Sequence, residues 1–171
     1  MARRTSKTTS ARCACGRVEF EAAGAPIICA VCYCDDCQEG ARQLEALPDA
    51  PPVADADGGT PMIVYRKDRV TCTKGEDFVR AHKLKPDSPT NRVVATCCNS
   101  AMILSFDDAK WWIDVYRMRV RDDPPPLEIR NNTKFRRADS APPNDVPSFA
   151  RYPFRLLARL LVARIGMLFF R

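Results

Sequence analysis

Three cysteines fall within six positions in "CYCDDC", residues 32–37, and no other stretch of the chain constrains its chemistry so tightly. Cys32, Cys34 and Cys37 alternate with Tyr33, Asp35 and Asp36, a spacing too close for three separate core positions. Zinc prefers thiolates, takes about four ligands, and is gripped by short chelating groups brought from separate parts of a chain. Two further groups of that kind are present: "CAC" supplies Cys13 and Cys15, and "ATCCNS" supplies Cys97 and Cys98. A single C-x-C is a weak signal, since two cysteines on one strand face can simply be buried. The three groups together point to metal, and two sites are the natural count.

Cys29 and Cys72 stand apart in apolar or β-branched settings and read as core residues. His82, the only histidine, lies in an alternating pattern and reads as a strand residue rather than a ligand. The cysteine total of nine is odd, which argues against a fully paired disulfide framework. The opening "MARRTSKTTS" lacks the apolar stretch of a secretory signal, so a reducing, cytoplasmic location is expected. The formal charge of +6 counts every cysteine as neutral; one four-thiolate and one three-thiolate zinc carry −2 and −1 and lower it to +3. Nucleic-acid binding is therefore not expected from charge alone.

Residues 1–11 offer no apolar periodicity and read as a disordered basic arm. "GRVEFEA" alternates as a half-buried strand, "IICAV" follows as a buried one, and "DDCQEGARQLEAL" reads as a short helix capped by Asp35 or Asp36. After a proline- and glycine-rich loop come "MIVYR", "RVTCT", "FVRAHKL", "NRVVATC", "AMILSF" and "WWIDVYRMRV", all strand candidates, so residues 12–121 form a β-rich domain. Residues 122–150 form a proline-rich loop that no regular element is expected to cross. Residues 151–171 read as a C-terminal helix packed on the domain. Arg155, Arg159 and Arg164 leave no span of about 18 uncharged residues, so no transmembrane segment is expected. Arg151, Arg155 and Arg159 share one helix face while Arg164 and Arg171 lie nearly opposite, which disfavours a membrane-surface helix.

The strings "CACGRVEFEAAG" and "CYCDDCQ", a long β-rich middle and "CNSAMILSF" resemble the glutathione-dependent formaldehyde-activating enzyme family, which also includes the centromere protein V-like proteins. The resemblance covers about residues 12–121, and its two opening strings occur in the family's order. It implies a compact, mainly β fold of packed antiparallel sheets holding two zinc ions. One zinc would be structural, on Cys13, Cys15, Cys98 and, by inference, Cys97. The other would be catalytic, on Cys32, Cys34 and Cys37, with its fourth position open. The implied activity is a carbon–sulfur lyase-type reaction, the condensation of formaldehyde with glutathione to S-hydroxymethylglutathione. The implied partners are a glutathione-like thiol and an aldehyde. The family commonly carries C-x-x-C ahead of a G-T-P-L-like turn; here Ala95 stands at the first cysteine, the pair is Cys97–Cys98, and "NSAM" replaces the turn. Adjacent strand residues point to opposite faces, so both can serve one ion only if the backbone turns sharply there.

An open zinc position makes chemical sense of such a reaction, because it can hold a thiol as thiolate beside an aldehyde carbonyl. Asp35 or Asp36 could carry the protons, though a helix cap is the plainer role for either. Trp111, Trp112 and Tyr116 could line a thiol pocket, yet their strand positions read first as core. The competing reading is a non-catalytic, zinc-stabilised module that binds protein or nucleic acid through Arg3, Arg4, Lys7 and "KFRR", Lys134–Arg137. A thiol-redox role for the cysteine cluster is a third. Nothing in the sequence sets the oligomeric state.

Overall fold

The computed structural model describes residues 8–137 and 141–169. The chain runs β1 (Thr8–Arg12), β2 (Glu19–Ala23), β3 (Ile28–Cys32), α1 (Asp35–Glu45), β4 (Thr60–Arg66), β5 (Val70–Lys74), β6 (Val79–His82), β7 (Thr90–Ala95), β8 (Ser100–Phe106), β9 (Trp112–Tyr116), β10 (Ile129–Asn131) and α2 (Phe154–Phe169). Strands β1, β2 and β5 make a small sheet, and the other seven make a large one in the order β10-β3-β4-β9-β8-β7-β6. Each strand pair is antiparallel except β10 with β3, which is parallel.

Side-chain alternation along β4 sets the layering. Ile63 and Tyr65 face one way and join Cys29, Val93, Ile103 and Val115 against Phe20 and Ala22 of the small sheet. Met62 and Val64 face the other way. Met62 packs with Ala41 and Leu44 of α1, and Val64 with Ile28, Ala30 and Leu156 of α2. The large sheet is thus a middle layer, with the small sheet on one face and both helices on the other. This is the expected β-rich arrangement of packed sheets, with a short helix after the cysteine cluster and a C-terminal helix on the domain.

Three local expectations are corrected. The basic arm ends earlier than residue 11, because Thr8–Arg12 form β1 with Thr9 and Ala11 buried against the fold. Small side chains hide that alternation from a hydropathy reading. Arg3, Arg4 and Lys7 lie outside the described residues. The proline-rich stretch 122–150 does carry a strand, since Ile129, Arg130 and Asn131 pair with Ala30, Val31 and Cys32 between the prolines. Finally, α1 is capped by Cys34 rather than by an aspartate side chain: the Cys34 carbonyl accepts from the Cys37 and Gln38 N–H groups at 3.0 and 3.1 Å. Asp35 and Asp36 sit in the first turn, where the helix dipole favours negative charge.

Helix α2 is held by mixed contacts. Leu156 is buried, the Leu160 carbonyl accepts from Trp111 Nε1 at 2.8 Å, and Arg159 pairs with Glu128 at 2.5 Å. Arg164 lies over the Trp111 ring. Arg171 falls outside the described residues. Among the described residues no helix is long and apolar enough to cross a membrane.

Candidate metal centres

Cys13, Cys15, Cys97 and Cys98 converge, with all four sulfurs within 4.8 Å of one another. The separations are 3.6 Å for Cys13–Cys15, 3.9 Å for Cys13–Cys97, 3.4 Å for Cys15–Cys97 and 3.9 Å for Cys97–Cys98. Zinc–sulfur bonds of about 2.3 Å in a tetrahedron place sulfurs about 3.8 Å apart, so these four separations are close to those of a tetrathiolate zinc site. Two tight turns make this possible. The first follows β1, where Gly16 at φ 75° donates its N–H to the Cys13 carbonyl. The second joins β7 to β8 through Asn99 at φ 48°, and the Cys98 N–H returns to the Ala95 carbonyl. The adjacent pair Cys97–Cys98 therefore lies in a turn and not in a strand, which brings both sulfurs to one side. The Val18 N–H donates to Cys13 Sγ at 3.2 Å, and Cys98 Sγ lies 3.1 Å from Ser100 Oγ. Burial alone would raise the Cys98 thiol, but hydrogen bonds from Ser100, the Cys15 backbone and the Cys15 and Cys13 thiols bring it down to about 6.

Cys32, Cys34 and Cys37 form the second group, again with sulfurs within 4.8 Å. Cys32 ends β3, and Cys34 and Cys37 bracket the first turn of α1. Between them Tyr33 points away and pins the strand end: its hydroxyl donates to Asp57 Oδ2 at 2.6 Å and accepts from Arg130 Nη1 at 2.5 Å. Asn132, just beyond β10, reaches Cys32 Sγ with its side-chain amide at 3.5 Å. Hydrogen bonds from the Cys32 and Cys37 thiols hold the Cys34 thiol down at about 3. The bond to Cys34 pushes Cys32 up to about 12, and bonds to Cys32 and Cys34, with burial, push Cys37 well above the ordinary thiol range. A divalent cation binding such a group displaces its thiol protons.

The second group opens onto a cavity. Cys32, Cys34 and Cys37 line a space of about 390 Å³ whose walls are mainly apolar, including Met62, Leu104, Trp112, Leu156 and Leu160. That size and lining suit a small-molecule ligand. Arg92, Asp36 and Asp114 also line it. Asp114 in β9 has its carboxyl raised to about 7, by burial first and by the charge of Cys34 second, and its Oδ1 is buried without a hydrogen-bond partner among the described residues. Arg92 in β7 donates from Nη2 to the Asp36 carbonyl at 2.6 Å.

Residues 5–116 match the model of a family of unknown function, DUF6151. The chain belongs to the DUF6151 family. No curated protein matches it. Among solved structures, a Rhodobacter sphaeroides protein determined as a structural-genomics target aligns with a TM-score of 0.47, at 13% identity over 68% of this chain and 91% of its own.

In this DUF6151 chain all seven cysteines expected as ligands fall into the two groups, while Cys29 is buried core and Cys72 packs partly buried at the core's edge. His82 sits in β6 and meets Gln43, away from either group. Trp112 lines the cavity, Tyr116 is buried beneath α1, and Trp111 bonds α2. Asp36 lines the cavity, and Asp35 pairs with Arg137 at 3.2 Å. Of "KFRR", Arg137 makes that ion pair and Arg136 donates to the Asp57 carbonyl at 3.1 Å, so both turn back onto the domain. Arg92 and Asp114 were not singled out from sequence. Their signal is a charge inside an apolar strand, in "NRVVA" and "WWIDVY", where ionisable groups are rarely buried without purpose.

Proposed function

We propose that this chain is a zinc-dependent, carbon–sulfur lyase-type enzyme that makes or breaks an S-hydroxymethyl adduct between formaldehyde and glutathione or a similar small thiol. One observation carries the reading: the three-cysteine group opens onto a small-molecule cavity, whereas the four-cysteine group is closed by its own ligands. The resemblance of the cysteine strings to the formaldehyde-activating family supports it. In this reading Cys13, Cys15, Cys97 and Cys98 hold a structural zinc, and Cys32, Cys34 and Cys37 hold the working one. A reducing compartment such as the cytoplasm keeps these thiols in metal-binding form.

Zinc bound by three thiolates offers an open position and lowers the pKa of a thiol brought to it. The chain's own groups do the rest. Leu104, Trp112 and Leu156 exclude bulk water from the cavity. Asp114 takes the proton that the substrate thiol gives up. The sulfur lone pair then forms the carbon–sulfur bond while the carbonyl π pair moves to oxygen, and Asp114 returns the proton to that oxygen. One S–H and one C=O π bond are broken, one C–S and one O–H bond are made, and the reverse path uses the same groups.

Adduct exchange between ¹³C-formaldehyde and glutathione, followed by NMR, tests the proposal. The wild-type chain is expected to accelerate exchange, Cys34→Ser to abolish the acceleration with the fold retained by circular dichroism, and Asp114→Asn to slow it about a hundredfold or more. Full activity in Cys34→Ser would sink the mechanism. Absence of turnover together with steeply salt-dependent nucleic-acid binding would favour the zinc-stabilised binding module instead.

A further inference from the structure

Arg92 occupies the middle of β7 at 2% exposure. A guanidinium taken out of water is costly unless its donors are met. Here they are met only in part. Nη2 reaches the Asp36 carbonyl at 2.6 Å, and the Nε edge packs so closely on α1 that a Cβ at Gly40 would come within 2.1 Å of it. Nη1 is buried and has no hydrogen-bond partner among the described residues.

Arg92 lines the same cavity as Cys32, Cys34 and Cys37, and its anchor on α1, Asp36, lies between Cys34 and Cys37 in sequence. Asp114, the acid of the sheet that lines the same cavity, is two strands away: Arg92 pairs with Leu104, and Leu104 with Asp114. Lys110, the other cation on the cavity wall, is occupied by an ion pair with Asp108. Arg92 is therefore the buried cation of this cavity with a donor to spare.

We propose that Arg92 anchors an anionic group of the ligand, so that the thiol handled at the three-cysteine centre carries a carboxylate. The guanidinium donors match carboxylate geometry, and such charge-assisted bonds are stronger than neutral ones. The inference rests on the reading of Cys32, Cys34 and Cys37 as a thiol-binding metal centre.

Calorimetric binding to the zinc-loaded full chain separates the two ideas, using 3-mercaptopropionate, its neutral isostere 3-mercaptopropanamide, and propionate, which has no thiol. The wild-type chain is expected to bind the acid thiol about tenfold or more tightly than the amide. Arg92→Gln is expected to shrink that preference to about twofold or less, and Arg92→Lys to restore part of it. Equal binding of the two thiols by the wild-type chain overturns the anchor and leaves the thiol centre standing. So does a preference that survives in Arg92→Gln. Binding of propionate that depends on Arg92, with no gain from the thiol, keeps the anchor and overturns the thiol centre. Failure of all three probes to bind overturns both. Where Arg92→Gln does not fold, the wild-type comparison of acid with amide decides alone.

Discussion

At residue scale, burial of the Asp114 carboxyl raises its pKa from 3.8 to about 7. A carboxyl with a raised folded-state pKa holds its proton longer in the fold than in the unfolded chain, so the fold loses stability as pH rises from about 4 to 7 and the loss levels off above that. Asp114→Asn lacks this loss. We expect the variant to be more stable than wild type at pH 8, by an amount on the order of a few kcal/mol, with the gap narrowing at pH 5; urea unfolding at the two pH values measures it. A gap that does not change with pH would show that the carboxyl is ionised in the fold. Gly40 gives a second test. A helical glycine replaced by alanine ordinarily gains about 1 kcal/mol, but here the new Cβ meets Arg92 Nε at 2.1 Å. Gly40→Ala is expected to destabilise the chain by about 1–3 kcal/mol and to weaken binding of the acid thiol.

At the scale of elements, the strands and α1 follow from local pattern, because alternation and helix formers speak within a few residues. Both β1 and β10 do not. The first is hidden by small polar residues, and the second is a three-residue strand whose hydrogen-bond partner, β3, lies about 100 positions earlier. Yet β10 supports the three-cysteine group, since Asn131 pairs with Cys32 and the Tyr33 N–H donates to the Asn131 carbonyl at 3.1 Å. Helix α2 was legible as a helix, but which side it buries was not. Arg155 and Arg159 bond the domain, while Leu161, Val162, Leu168 and Phe169 face out. Leu156 alone of its described residues is fully buried and also lines the cavity. Leu156→Ala should therefore cost about 2–5 kcal/mol in urea unfolding, with opening of the cavity. A loss under about 0.5 kcal/mol would mean that α2 does not pack there.

At the scale of the whole molecule, the two cysteine groups hold different parts together. Cys13 and Cys15 follow β1 of the small sheet and meet Cys97 and Cys98 from the β7–β8 turn of the large one, so this group clamps the two sheets. Cys32, Cys34 and Cys37 join only the end of β3 to α1. Zinc analysis on protein purified without added metal should give two ions per chain, falling to one in a Cys32, Cys34, Cys37→Ser variant that keeps its circular dichroism. Cys13→Ser should instead lower the melting temperature sharply, because a closed structural site contributes directly to folding. Unfolding of the triple variant would assign the clamp to the wrong group. The sequence by itself determined the β-rich class, the helix after the cluster and the seven cysteines of the two groups, since chelating spacing and alternation are local properties. Tertiary structure alone decided that Cys97 and Cys98 share a side, that one group opens to a cavity, and that Arg92 and Asp114 meet it. Those facts depend on which turn closes and which strand faces which layer, and residues far apart in the chain settle both.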